Sequence, residues 1–241
     1  MKKLTKKIKV KTKEAKPKRI KINVVKEEPK IQGSSYWIER TIEDEHKDWN
    51  YTGNWIEGYI ASADHPHRDL ILDNLPEFNS LAEVGCNVGP NLYRINKRFE
   101  GKRLAGIDVS PLAIAASKEY LPESIDVQVG SFIRLPWDTQ SFDIVLADAV
   151  LMYATPDEIG LVLKEMERVG KTLIIVDRFS KEETNNGYVW SRNYPKLLEE
   201  LGFQVKTIKM KKSDWPGSKG WQESGCIFIA VRPSQISETN S

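Results

Sequence analysis

Between residues 83 and 108 the chain sets small, turn-forming residues and two acids at a spacing suited to holding a nucleoside. The run Glu83-Val84-Gly85-Cys86-Asn87-Val88-Gly89-Pro90-Asn91 follows an apolar stretch, Leu81 to Val84, and leads into a helical periodicity of Leu92, Ile95 and Phe99. Glycine at 85 permits a tight turn, and small residues there let backbone N–H groups approach a ligand at the C-terminal edge of a sheet. Twenty-three residues after Gly85 a second strand-like run ends in Asp108, whose carboxylate can accept hydrogen bonds from both hydroxyls of a ribose. A dinucleotide site would need glycine at 85, 87 and 90; only the first is present, and Pro90 removes a backbone donor where pyrophosphate would be held. The pattern therefore favours a ligand held by its ribose, adenine and amino-acid ends over a nicotinamide cofactor.

These residues need a scaffold, and from Leu81 onward short apolar strands alternate with amphipathic helices, as in a parallel sheet covered on both faces. Strands are expected at 81–84, 103–109, 127–129, 142–147 and 172–176. Ser110 can cap a helix that has Pro111 at its first position and continues through Leu121. Thr155-Pro-Asp-Glu158 is a capping box opening a helix through Met166. A helix over 195–201 stops at Gly202, suited to a left-handed C-cap. Strands at about 203–210 and 226–231 then follow, joined by Lys211 to Ser224, whose Asp214, Pro216, Gly217 and Gly220 argue against a helix. Two strands so joined are antiparallel neighbours. Asp143, inside the fourth strand, reads as a structural carboxylate.

Four stretches in order, LAEVGCNVGPNL, LAGIDVSPLAI, VGSFIRLPW and FDIVLADAVLMY, resemble the successive motifs of class I S-adenosylmethionine-dependent methyltransferases over about residues 80 to 155. The resemblance implies an α/β fold: a Rossmann-like three-layer sandwich with a seven-stranded, mostly parallel sheet and one antiparallel strand, here with an N-terminal helical cap. It also implies S-adenosyl-L-methionine as cofactor. Carried over, Glu83 and the loop of Gly85, Cys86, Asn87 and Gly89 line the methionine end, with Asn91 beside them. Asp108 holds the ribose, with Val109 next to it. Ser131 faces the adenine amino group, Phe132 packs on the ring, and Ala147 and Asp148 lie near the donor's ammonium. The commonest family pattern has glycine where this chain has Asn87, a residue that tolerates left-handed geometry. A fainter likeness, in the spacing E-x-G-x-N-x-G-x-N-L, is to methyltransferases of surface-sugar biosynthesis.

Methyl transfer from a sulfonium is an in-line displacement, so the protein chiefly aligns acceptor, methyl and sulfur and excludes water. An acceptor that must lose a proton needs a base nearby. Asp148, Tyr153 and His67 are the candidates, and Arg68 is a candidate partner for the donor's carboxylate; for the cluster of His65, His67 and Arg68 the competing reading is simple helix initiation at Pro66. No Pro-Pro-Tyr run follows the fourth strand, which argues against base-amino or glutamine methylation in the familiar manner. Arg178, not an oxygen ligand, follows Asp177, so no metal site is expected.

Charge and composition set the organisation. Residues 1–30 carry 13 Lys or Arg against three Glu, a net of +10, whereas the remainder holds 23 basic and 31 acidic groups, a net of −8. Expected regions are a basic arm (1–30), an aromatic-rich helical cap (31–79), the methyltransferase domain (80–233) and a tail (234–241). Trp37, Trp49, Tyr51, Trp55 and Tyr59 in the cap, with Tyr188, Trp190, Trp215 and Trp221 later, suit an acceptor wall or simple packing. Cys86 and Cys226, at no metal-ligand spacing, read as reduced buried thiols. With no membrane-length apolar run and no leader-like start, a cytoplasmic location is expected. The favoured reading is transfer to an O or N atom of a small-molecule or glycan acceptor. The alternatives are an RNA or protein methyltransferase recruited through residues 1–30, where nucleic acid can bind, and a binding module without catalysis.

Overall fold

The computed structural model describes residues 35–41, 54–187 and 189–233. The proposed basic arm, the C-terminal tail, Trp49, Tyr51 and Tyr188 lie outside the described residues. A seven-stranded sheet organises the chain: β1 (Ser80–Val84), β2 (Arg103–Asp108), β3 (Asp126–Val129), β4 (Phe142–Asp148), β5 (Gly170–Arg178), β8 (Gln204–Lys209) and β9 (Gly225–Val231). Their spatial order is β3-β2-β1-β4-β5-β9-β8. All pairings among β1 to β5 are parallel, and β9 alone runs against both of its neighbours. A separate two-stranded hairpin, β6 (Thr184–Asn185) and β7 (Trp190–Ser191), follows β5.

Alternation along the strands divides the core into two layers. Ala82, Val84, Val145, Ala147, Leu173 and Ile175 face one side with Ile159, Val162 and Met166 of α6 (Pro156–Val169) and Leu198 of α7 (Tyr194–Glu200). Leu81, Ile144, Leu146, Ile174 and Val176 face the other, against Ile71 and Leu72 of α3 (Pro66–Asp73), Leu92 and Ile95 of α4 (Pro90–Arg98), and Ile114 of α5 (Pro111–Tyr120). Each aliphatic side chain so buried contributes about 1.5–3 kcal/mol. The short helices α1 (Ser35–Glu39) and α2 (Trp55–Ala61) complete the described part of the cap, tied together by the Trp55 indole donating to the Thr41 carbonyl at 2.8 Å.

The helix starts follow the local chemistry. Ser110 Oγ accepts from Ala113 N, and the reciprocal Thr155–Glu158 box is formed. Gly202 takes a left-handed φ of 84° after α7. Asp143 accepts from Asn79 N, Ser80 N and Lys171 at the opposite end of the sheet from the Gly85 loop. One expectation fails: the connection between β8 and β9 does contain a helix, α8 (Lys219–Ser224). Six residues are too few to display a period. Tertiary contacts set it instead, with Trp221 stacked on Trp215 at 3.8 Å and Gly220 lying against the Arg178 guanidinium. Strand and helix ends also move by a few residues, β5 most, because burial on both faces extends it to Gly170 and Arg178.

Candidate functional site

The C-terminal ends of β1, β2 and β4 converge on one cavity of about 850 Å³, counting the open space at its mouth. Gly85, at φ 71°, turns the chain out of β1, and a Cβ there would lie 2.3 Å from Val150 Cγ2. Asn87 is left-handed at φ 51°, the geometry that made asparagine an acceptable replacement for glycine. The loop is pinned to β2 by Asp108, whose carboxylate accepts from Asn87 N and Ser110 N, both at 2.9 Å. Burial pushes the Asp108 carboxyl up to about 6 despite these backbone donors.

Behind this loop lies a buried polar cluster. Asp148 Oδ2, at the tip of β4, accepts from His67 Nε2 (3.0 Å), Arg68 Nη1 (3.0 Å) and Asn91 Nδ2 (2.9 Å). Asn91 also donates to Glu83 Oε1 at 2.7 Å and accepts from Arg68 Nη1 at 2.5 Å, so one amide links the two acids. Arg68 Nε and Nη2 hold the Ser62 carbonyl and hydroxyl. Burial would raise the Asp148 carboxyl, but His67, Arg68 and Asn91 hold it well below the usual carboxylate range. Glu83 has no cation on it, and burial drives it up to about 8. His67 Nδ1 meets His65 Nδ1 at 2.5 Å. Burial lowers both imidazoles, His65 to about 4, which keeps them neutral, with the His67 proton on the Nε2 that faces Asp148.

Of the residues singled out from sequence, Glu83, Gly85, Cys86, Asn87, Asn91, Asp108, Val109, Phe132, Asp148, Tyr153, His67 and Arg68 line this cavity. Gly89, Ser131 and Ala147 are not among its lining residues. Gly89 supplies the left-handed N-cap of α4, the Ser131 hydroxyl accepts from Ile133 N, and Ala147 is fully buried between β1 and β5. Arg68 lines the cavity, yet its hydrogen bonds go to Ser62, Asn91 and Asp148, so it acts on the acids and not as a waiting partner for a donor carboxylate. Asp148, pinned by three donors, is poorly suited to take a proton. Pro66 does begin α3, as the helix-start reading has it, and His67 and Arg68 of that first turn line the cavity.

Trp37, Tyr59 and Trp215 supply aromatic wall from the cap and the β8–β9 connection. Trp190 instead lies on the β6–β7 hairpin under the Arg192 guanidinium. Sequence reasoning missed Ala149 and Val150, which shape the floor; Ala149 takes a strained φ of 55°. No local signal marks either one.

The residues present fit a cationic nucleoside donor. Glu83 Oε2 and Asp148 Oδ1 are buried, lack a hydrogen-bond partner and belong to side chains lining the same cavity, an arrangement that wants an ammonium.

Comparison with known proteins bears on the same region. Residues 82–173 match the family described as a methyltransferase domain. Trans-aconitate 2-methyltransferase of Escherichia coli O1:K1 is 26% identical over 155 residues, 61% of this chain and 60% of the relative. An uncharacterized protein of Haemophilus influenzae is 28% identical over 152 residues, 59% of this chain and 56% of its own. The chain thus spans about 60% of the length of the curated relatives it matches. Among solved structures, a methyltransferase of Aquifex aeolicus described as SAM-dependent superposes with a TM-score of 0.57 at 18% identity, covering 73% of this chain and 96% of that one. A putative methyltransferase of Haloferax volcanii, solved with its Trm112 activator, gives 0.57 at 18%, covering 74% and 97%. Domain match, sheet order and strand-tip loops agree: residues 82–173 match a methyltransferase domain, on a Rossmann-like fold shared with these solved methyltransferases.

Proposed function

We propose that this protein transfers the methyl group of S-adenosylmethionine to an O or N atom of a small molecule or glycan precursor. The observation that carries the reading is the pair of unpartnered carboxylate oxygens, Glu83 Oε2 and Asp148 Oδ1, in one cavity with Asp108. Asp108 takes the ribose hydroxyls, Glu83 and Asp148 take the ammonium, and Val109 with Phe132 packs the adenine. Arg68 and Asn91 keep Asp148 ionised and oriented. When bound, the donor supplies an electrophilic sulfonium methyl; the chain's own work is alignment and exclusion of water. The described residues of 80–233 form the transferring domain, and the described residues of 31–79 cover the acceptor side.

The acceptor of the trans-aconitate relatives does not carry over easily. Among the described lining residues the one arginine, Arg68, is already bound to Asp148, which leaves a tricarboxylate without a matching cation. A second reading, recruitment of an RNA, rests on the +10 charge of residues 1–30. It predicts an RNA affinity that falls steeply with salt and disappears when those residues are removed. Titration calorimetry with S-adenosylhomocysteine tests the main proposal: micromolar binding is expected, and none at millimolar ligand sinks it.

A further inference from the structure

We infer that the acceptor is an amine, recognised by the aromatic and acidic wall of the cavity and released as an N-methylated ammonium. The inference rests on the donor reading above and adds the nucleophile's class. Three observations lead to it.

The first is the wall. Trp37, Tyr59, Tyr153 and Trp215 all line the cavity, and Trp37 meets Tyr153 edge-on at 5.6 Å and Tyr59 at 6.2 Å. Ring faces attract cations, most strongly where water is thin. The cluster already holds one such charge: the Arg40 guanidinium lies 5.2 Å from the Trp37 ring centre and 4.8 Å from that of Trp55.

The second is the sign of the lining charge. Asp108 and Asp148 face the cavity as carboxylates, joined by Glu83 once it pairs with the donor's ammonium, against Arg68, whose guanidinium is bound to Asp148, Asn91 and Ser62. An anionic acceptor would meet acids and π faces, both repulsive. A cationic one is complementary to both.

The third is proton handling. Asp148 is pinned by three donors, and both His67 nitrogens are engaged, by Asp148 and by His65. A hydroxyl acceptor must shed a proton as it attacks and needs a base that neither Asp148 nor His67 provides. An amine that binds as a cation first gives its proton to solvent, and the free base then needs no base in the transfer step. Its nitrogen lone pair forms the N–C bond, the C–S pair leaves with sulfur, and the positive charge passes from sulfur to nitrogen. Charge is conserved inside the same ring-and-carboxylate surroundings, which stabilise it throughout.

The test uses the full chain saturated with S-adenosylhomocysteine. Choline serves as a cationic probe and 3,3-dimethylbutan-1-ol as its neutral isostere, with binding read from tryptophan fluorescence. Choline is expected to bind roughly tenfold tighter than the isostere. Trp37→Leu, in a helix that buries none of its residues, is expected to cut choline affinity by roughly fivefold while S-adenosylhomocysteine affinity stays unchanged. Methyl transfer is then assayed against amines, alcohols and carboxylates, with turnover expected for amines. Equal affinity for the two probes, or turnover of carboxylates or alcohols without amines, overturns the inference. Failure of S-adenosylhomocysteine to bind is a different result, which removes the donor reading and this inference with it.

Discussion

Glu83 and Asp148 share one amide neighbour yet titrate in opposite directions, and the reason is what else touches them. Asp148 receives Arg68 and two further donors, so it stays ionised; Glu83 receives only Asn91, so burial governs and its carboxyl rises to about 8. At neutral pH the ligand-free protein therefore holds Glu83 protonated. If Glu83 faces the donor's ammonium, binding must expel that proton. Affinity for S-adenosylhomocysteine is then expected to climb between pH 6.5 and 8 by up to about tenfold per unit. Calorimetry in buffers of different ionisation enthalpy should register proton release, and Glu83→Gln should abolish both effects. A flat profile in the parent protein would place the ammonium elsewhere. Asp108 permits a separate test at the other end of the ligand. Asp108→Ala removes charged hydrogen bonds without opening the core and is expected to weaken S-adenosylhomocysteine binding by ~1–3 kcal/mol while the fold persists. Unchanged affinity in that variant would mean that the second strand tip holds no ribose.

The turn after β4, Leu151 to Tyr153, carries Tyr153 into the cavity, and it is held from behind by residues remote in sequence. Arg192, 1% exposed, donates from Nη1 to the Leu151 carbonyl at 3.1 Å and from Nη2 to that of Ala154 at 2.5 Å. Its Nε is fixed by Glu183 at 2.6 Å, at the start of the β6–β7 hairpin. Arg192→Met would keep much of the apolar stem but leave two carbonyls without donors. We expect a loss of about 2–5 kcal/mol in urea unfolding, with a weakened near-ultraviolet signal from the Trp37–Tyr153 pair; stability equal to the parent would contradict the clamp. This tie also marks the boundary of what the sequence makes legible. Ser110, Thr155 and Gly202 announce helix ends because capping is local chemistry, and strand order follows from alternation and connection length. The Gly85–Asn91 loop and Asp108 could be placed at one cavity because a turn after a strand and an acid at a strand tip are local signals. Arg192, Val150 and α8 could not, since each takes its role from a partner on another element: a pair of carbonyls, the space a Cβ at Gly85 would occupy, a stacked Trp215. Asp148 could be read from the sequence either as a contact to the donor's ammonium or as a base, and the choice between them was not legible, because its three donors come from α3 and α4 and leave no trace near position 148.

Across the whole molecule, burial of acids near the strand tips makes stability depend on pH in a direction opposite to that of an ordinary salt-bridged surface. Glu83 rises from 4.5 to about 8, Asp177 from 3.8 to about 7 and Asp108 from 3.8 to about 6, each mainly through burial. The folded chain holds protons that the unfolded chain gives up, so this contribution is complete below the unfolded values and is lost as pH rises through the folded ones. The histidines act in the other sense. Burial lowers His65 from 6.5 to about 4 and lowers His67 as well, so the unfolded chain takes up protons below pH 6.5 and acid removes their contribution. At pH 6.5 the unfolded histidines are half protonated and lose that charge over about the next unit, which offsets part of the acids' slope; above that the acids alone decide it. Ligand-free protein is therefore expected to lose about 2 kcal/mol between pH 6.5 and 8, chiefly through Glu83 and Asp177, read as a falling urea midpoint at constant ionic strength. S-adenosylhomocysteine should flatten that decline, because Glu83 paired with an ammonium is already ionised in the folded state. Asp177 lies behind the site, accepting from the Tyr194 hydroxyl at 2.9 Å, so its share should remain with ligand bound. A midpoint that stays level or rises over this range would mean that these acids are ionised in the folded chain, and the proton-coupled account of donor binding would go with them.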